Sequence, residues 1–202
     1  CATGSLLHEL ADEIGRGIGV DADGQMIQIA RSKTVHPRLE FFQGDMALLD
    51  DNPSLAPVRA DLITCFGNTL VHLTDDDELL AFATWCHEHL EPGGHLAIQI
   101  VHYDRLARLE ATELPSIDTP RLHFARALDF DPRGDRVSFE TTLTEKESGT
   151  SWHDVTRLRP LRSADLADLL HRAGFEDARL FGSFERDRLR PDSTAVVALA
   201  IR

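Results

Sequence analysis

Cys1-Ala2-Thr3-Gly4-Ser5-Leu6-Leu7-His8-Glu9-Leu10-Ala11 opens the chain. It reads as the second half of a glycine turn running into a helix. Leu6, Leu7, Leu10, Ala11 and Ile14 recur at helical spacing, so a helix is expected over residues 5 to 15, closed by Gly15 and Gly17. Gly17-Ile18-Gly19-Val20-Asp21 follows as a short apolar strand ending in an acid. A glycine turn lets backbone approach a ligand, and the helix start behind it offers free N–H groups to an anion. The strand that should precede such a turn is absent from the sequence. A gap there would bare the edges of two neighbouring strands, so upstream residues are expected.

The alternation continues outward from this point. A helix about residues 23 to 33 carries Met26, Ile27 and Ala30, and Leu39 to Gln43 is a strand stopping at Gly44-Asp45-Met46. Asn52 to Arg59 is a proline-bearing loop, and Asp61 to Phe66 a buried strand followed by Gly67-Asn68. Thr74-Asp75-Asp76-Asp77-Glu78 opens a helix reaching about Leu90. Glu91-Pro92-Gly93-Gly94 breaks it, and His95 to His102 is the next strand. Strand, helix, strand, helix argues for an α/β, doubly wound parallel sheet.

After about residue 120 the pattern changes. Leu122, Phe124, Leu128 and Phe130 share one face of an extended stretch, and Val137, Phe139, Thr141 and Leu143 one face of the next. Asp131-Pro132-Arg133-Gly134-Asp135 turns between them, and Glu147-Ser148-Gly149-Thr150 turns into Trp152 to Leu161. This is an inserted three-stranded antiparallel meander over residues 120 to 160. Ser163 to Ala173 is a helix capped by Ser163 and closed by Gly174. Strands near Ala178 to Phe181 and Thr194 to Ile201 complete the sheet. With 202 residues and no internal repeat, residues 1–202 are expected to form one domain lacking its first strand.

The hydrophobic fraction of 42% and charged fraction of 27% are ordinary for a soluble globular protein. No apolar run reaches about eighteen residues, so no membrane partner is expected. A net charge of −13, with a modest arginine cluster from Arg186 to Arg190, argues against a nucleic-acid partner, which needs a basic face. Cys1, Cys65 and Cys86 form no disulfide framework and point to a reducing cytoplasm.

The chemistry gathers at strand ends. Asp21 is placed to accept hydrogen bonds from two ribose hydroxyls. Asp45 is placed for an adenine amino group, with Met26 and Met46 as apolar covers for the ring. Cys65-Phe66-Gly67-Asn68 ends the next strand, and sites of this class lie at strand C-termini beside the switch in strand order.

These residues, with Gly44-Asp45-Met46, Leu90-Glu91-Pro92-Gly93-Gly94 and Leu170-His171-Arg172-Ala173-Gly174-Phe175, resemble the class I S-adenosylmethionine (SAM)-dependent methyltransferases over nearly the whole chain. More narrowly, Phe66-Gly67-Asn68-Thr69-Leu70-Val71-His72-Leu73, Tyr103-Asp104-Arg105 and the inserted meander resemble the glycine/sarcosine N-methyltransferase-like group. The chain departs from that group at His102, where asparagine often stands. The resemblance implies a Rossmann-like methyltransferase sheet with the meander as a lid. It also implies SAM as cofactor, S-adenosylhomocysteine as product and no metal. The cofactor would be held by Cys1, Ala2, Gly4, Asp21, Ala22, Met26, Asp45, Met46, Cys65 and Phe66, with the loop N–H groups facing the methionine carboxylate.

By position, Asn68, His72, His102, Tyr103 and Arg105 border the acceptor, because all follow strands whose ends face the cofactor. His72, His102 and Tyr103 are the catalytic candidates. Arg105 is placed to bind an acceptor carboxylate as a two-pronged donor. The acceptor expected is a small molecule, an amine first and a hydroxyl second, and a homo-oligomer is allowed.

Rival readings stand beside this one. A glycine turn alone fits any dinucleotide binder, although a nicotinamide enzyme would leave Gly-Asp-Met and Pro-Gly-Gly unexplained. A non-catalytic SAM-binding module and a nucleic-acid methyltransferase are the others. Asp75-Asp76-Asp77 reads as a helix N-terminus favoured by the dipole, and Cys86-His87-Glu88-His89 as a helix end rather than a metal site. His72 and His102 are equally readable as satisfied core histidines.

Overall fold

In the computed structural model, which describes residues 1–33, 36–109, 113–131 and 134–202, a parallel strand pair frames the first of two units, Cys1–Val58. Strand β1 (Gly17–Asp21) lies beside β2 (Leu39–Gln43), with Gly17 opposite Leu39 and Asp21 opposite Gln43. Helix α2 (Gly24–Lys33) connects them and buries Ile27 and Ala30. These pack with Ala11, Leu39 and Phe41, and Leu7 and Ile14 close the cluster. The Arg31 Nε and Nη2 both donate to the Phe41 carbonyl, at 2.9 and 2.6 Å, which satisfies part of an open strand edge.

Helix α1 is shorter than the apolar spacing suggests, covering Ser5–Glu9. The Ala11 N–H reaches the His8 carbonyl, three residues back, which interrupts the α pattern. Turns then carry the chain to Ile14, so the apolar side persists without a continuous helix.

The second unit, Arg59–Arg202, holds a mixed sheet in the order β3-β4-β10-β9. Strand β3 (Ala60–Cys65) is parallel to β4 (Leu90–Val101). Strand β10 (Ala195–Ile201) is antiparallel to both β4 and β9 (Asp177–Phe181). Leu96, Ile98 and Ile100 of β4 and Val196 and Ala200 of β10 are sealed from solvent. Glu91-Pro92-Gly93-Gly94 does not separate helix from strand. It lies inside β4 as an irregularity, the register passing from Ala60 opposite Leu90 to Leu62 opposite His95.

Helix α3 (Asp76–His89) fills the stretch between β3 and β4, and α5 (Ser163–Arg172) precedes β9. The acidic run is the start of α3, as its dipole favours: the Asp75 carboxylate caps the helix, accepting from the Asp77 N–H at 2.8 Å and the Glu78 N–H at 3.4 Å. Cys86 is buried, His89 stacks on Trp85 at 3.9 Å, and His87 meets the Phe175 ring edge-on. The Cys86–His89 run therefore packs the helix end.

The inserted sheet has four strands instead of the three expected, in the order β5-β6-β7-β8. Strands β6 (Leu122–Phe130), β7 (Val137–Glu145) and β8 (Ser151–Leu158) are the meander. Register Leu128–Phe139–Thr156 and Phe130–Val137–Leu158 puts the apolar residues on one face, as their spacing implied. The addition is β5 (Glu113–Asp118), an edge strand whose register slips between Leu114 and Ile117. Pro115 lies inside that slip and lacks an N–H for the ladder, which suits an edge strand. Pro132 and Arg133 of the expected turn between β6 and β7 lie outside the described residues. Among the described residues, no helix is long and apolar enough to cross a membrane.

Candidate active site

In the first unit the sequence-selected residues collect at the ends of β1 and β2. Ala2 has φ 47° and Gly4 φ 74°, and the Gly4 N–H closes the turn on the Cys1 carbonyl at 3.0 Å. The turn is fastened to β1 by Asp21. Its Oδ2 accepts from the Cys1 nitrogen at 2.9 Å and the Ala2 N–H at 2.7 Å, and its Oδ1 accepts from the Asp23 N–H at 3.0 Å. Burial pushes the Asp21 carboxyl upward, but these hydrogen bonds outweigh it and hold the group below its ordinary value. Ala22 is exposed, and its carbonyl accepts from Gln43 Nε2 at 3.1 Å.

The Gly44 N–H donates to the Asp21 carbonyl at 3.0 Å, which brings Gly44-Asp45-Met46 beside the end of β1. Asp45 Oδ1 accepts from the Ala47 N–H at 2.9 Å and starts a short 3₁₀ turn, Met46–Asp51. Met26 and Met46 are both half-buried.

Gly4 and Gly19 are required by Phe41. A Cβ on Gly19 would stand 2.6 Å from that ring and one on Gly4 2.7 Å from it, so both backbones pass where a side chain has no room.

In the second unit, Gly67 and Asn68 follow β3 with φ 76° and 65°. This double left-handed step turns the Asn68 side chain back onto the sheet. Its Oδ1 accepts from the Val101 N–H at 3.0 Å, and its Nδ2 donates to the Tyr103 hydroxyl at 2.9 Å. Tyr103 opens helix α4 (Tyr103–Leu109) and is buried. Burial pushes its phenol up to about 12, with the Asn68 bond opposing. Arg105, half-buried in the same turn, has no side-chain partner among the described residues. Phe66 is half-buried and meets the exposed Phe184 edge-on at 5.0 Å.

The two histidines differ. His72 is exposed, yet partial burial of its ring lowers its basicity and favours neutral imidazole. His102 is buried, with Nδ1 2.8 Å from the Ser193 carbonyl and Nε2 3.6 Å from Asp104. A carbonyl accepts only, so this contact assigns the proton to Nδ1.

Asp104 was not selected from sequence. Its Oδ2 accepts from the Ser163 N–H at 2.8 Å and from the Ser163 hydroxyl at 2.7 Å. Ser163 is thus the first residue of α5 rather than its cap, and Asp104, 59 residues upstream, supplies the capping oxygen. Burial raises the Asp104 carboxyl, but the Ser163 bonds, then His102 and Arg162, lower it on balance.

A carboxyl lowered on folding stabilises the protein above its unfolded value, and that stability is lost as pH falls through the native value. Asp104→Ala should therefore cost about 1–2 kcal/mol at pH 7. In urea titrations the gap to wild type should shrink below about pH 4.

Cys65 is buried and its thiol is pushed up to about 12, and burial also pushes the Cys86 thiol up. Cys1 is exposed. In the native protein at pH 8, iodoacetamide should therefore spare Cys65 and Cys86 until denaturant is added, which peptide mass mapping would read.

Residues 1–94 match a family model described as a methyltransferase domain. A search of curated proteins by sequence gives no match. Among solved structures, the chain is similar to the CcbJ methyltransferase from Streptomyces caelestis, at 26% identity and a TM-score of 0.84, covering 98% of this chain and 79% of that one. It is also similar to an S-adenosylmethionine-dependent methyltransferase from Clostridium acetobutylicum ATCC 824, at 19% identity and a TM-score of 0.82 over 100% of this chain and 80% of that one. A third is CalS10, an amino pentose methyltransferase from Micromonospora echinaspora involved in calicheamicin biosynthesis, solved with SAM bound. It is 18% identical, with a TM-score of 0.72 over 100% of this chain and 80% of that one. The match of residues 1–94 to a methyltransferase domain, and the α/β fold that the chain shares with SAM-dependent methyltransferases of known structure, support SAM-dependent methyltransferase activity.

Proposed function

We propose that this methyltransferase acts on the nitrogen of a small amine, with the cofactor held at the glycine turn. The observation that carries the acceptor reading is Arg105, a cation without a partner among the described residues, in the same helical turn as Tyr103 of the Asn68–Tyr103 pair. The residues of the first unit fit SAM. An ionised carboxylate offers about four acceptor positions. Apart from the first nitrogen of the chain, Asp21 accepts from the Ala2 and Asp23 N–H groups, one on each oxygen, and its remaining positions suit ribose hydroxyls. The unused oxygen of Asp45 suits an adenine amino group, and Met26, Met46 and Ala22 border the same strand ends. Cys1, Ala2 and Gly4 contribute backbone to the methionine carboxylate. Cys65 and Phe66 keep the cofactor role their place at the end of β3 implies.

When bound, SAM supplies an electrophilic methyl group, so the chain's residues have to align the acceptor and exclude water. Tyr103, protonated at neutral pH, serves as a hydrogen-bonding group and not as a base. His72, favoured neutral, takes the proton an ammonium acceptor must lose. Asn68 and His102 hold the turn around Tyr103, and Arg105 binds an acceptor carboxylate. The sheet β5–β8 acts as the lid.

Phe66 to Leu73 and Tyr103 to Arg105 favour the glycine/sarcosine N-methyltransferase-like group, and an amino sugar acceptor, as named for CalS10, fits the same nitrogen chemistry. Calorimetric titration with SAM and with NADH, followed by release of S-adenosylhomocysteine across amines, hydroxy acids and phenols, tests the reading. SAM binding and turnover on an amine are expected. Turnover on phenols alone would make it an O-methyltransferase, and binding without turnover a non-catalytic module.

A further inference from the structure

We propose that Asp104 is a positioning residue of the methyl transfer: its carboxylate fixes the roll of α4 and thereby the angles at which Tyr103 and Arg105 are presented. The proposal rests on the reading that the start of α4 borders the acceptor. Helix α4 spans seven described residues, and a short helix draws its orientation from tertiary contacts more than from its own hydrogen bonds. Its preceding residue, His102, is clamped from both sides. The His102 N–H donates to the Thr194 carbonyl at 3.2 Å and its Nδ1 to the Ser193 carbonyl at 2.8 Å.

Successive helical residues point about 100° apart. Tyr103 is tied to Asn68 after β3, and Asp104, the next residue, is tied to Ser163 at the start of α5. Two anchors on different elements, a quarter-turn apart, stop the helix rotating about its axis. Arg105 is the third residue of that turn and the one without a side-chain partner among the described residues. Asp104 does more than cap α5, because its bond holds the helix that carries the acceptor residues.

Tyr103 is the one tyrosine in the chain, so its ionisation reports the turn without interference. Protein carrying a single ¹³C label at the tyrosine Cζ, loaded with S-adenosylhomocysteine, would be titrated by NMR. Burial pushes the wild-type phenol up to about 12. In Asp104→Ala the freed turn admits water, and the value should fall at least one pH unit toward the ordinary value of about 10. At pH 10.5 the ionised fraction should then be roughly tenfold higher. Asp104→Asn keeps an accepting oxygen for Ser163 and should retain most of the wild-type value.

A second route leaves Asp104 intact. Ser163→Pro removes both donors at a first helical position that tolerates proline, after an Arg162 already extended at φ −74° and ψ 161°. It should reproduce the Asp104→Ala shift. Methyl signals in each sample confirm the folded state. An unchanged phenol in folded Asp104→Ala, or in folded Ser163→Pro should the first variant not fold, overturns the proposal. Loss of S-adenosylhomocysteine binding by the wild type would instead sink the cofactor reading and leave this readout standing.

Discussion

Replacing Asp21 by Ala is expected to weaken S-adenosylhomocysteine binding by roughly 10- to 150-fold, or about 1.5–3 kcal/mol, the range for hydrogen bonds to a charged group. Two effects add. The carboxylate positions left for ribose hydroxyls disappear, and the glycine turn loses the acceptor that holds the Cys1 and Ala2 nitrogens against β1. Asp21→Asn separates them. An amide keeps one accepting oxygen but loses the charge, so its affinity should lie between wild type and alanine. Because the native carboxyl is held below its ordinary value, affinity should stay flat down to about pH 5 and fall in more acidic solution as the group protonates. Isothermal calorimetry at pH 7.5 is the measurement, and an affinity equal to wild type in Asp21→Ala would remove this residue from the cofactor site.

Gly4→Ala should be the most damaging small substitution in the first unit, costing about 2–5 kcal/mol in urea or thermal unfolding. One part is conformational, because φ 74° is costly for any residue with a Cβ, by about 1–2 kcal/mol. The other part is steric, because the new methyl would stand 2.7 Å from two atoms of a Phe41 ring that is itself buried; overpacking of that kind costs about 1–3 kcal/mol. Two comparisons isolate the terms. Gly15→Ala meets nothing within 4 Å, so it should be close to neutral. Adding Phe41→Leu to Gly4→Ala should recover the steric share and leave the backbone share, giving a non-additive cycle. Equal stability of Gly4→Ala and Gly15→Ala would contradict the packing described around Phe41.

Much of this was readable from local pattern. Asp45 and Asn68 each follow a short apolar strand directly after a glycine, and Asp21 closes the short apolar run Gly17 to Val20; that arrangement, set by a few adjacent residues, is enough to place them at strand ends. The acidic start of α3 and its capping Asp75 were legible for the same reason. What was not legible depends on partners far along the chain. Ser163 looks like a helix cap because serine before an apolar run usually is one, yet the capping oxygen comes from Asp104, and nothing near either residue announces the other. Glu91-Pro92-Gly93-Gly94 has the composition of a breaker, but pairing with β3 absorbs it as an irregularity inside β4. Strand β5 escaped notice because Pro115 and its register slip erase the alternation that marks an edge strand. His102 is a similar case, since its ring is occupied by a carbonyl 91 residues away.

Strand β4 has ladder neighbours on both flanks, and its Leu96, Ile98 and Ile100 never meet water. Their amides should be the last in the second unit to exchange for deuterium, opening only when that unit melts as a whole. The polypeptide leaves β4 directly into His102 and α4, with no intervening linker to act as a joint. The groups proposed to meet the acceptor are therefore cantilevered from the most slowly yielding beam of their unit, and thermal agitation of the surface strands should reach them strongly damped.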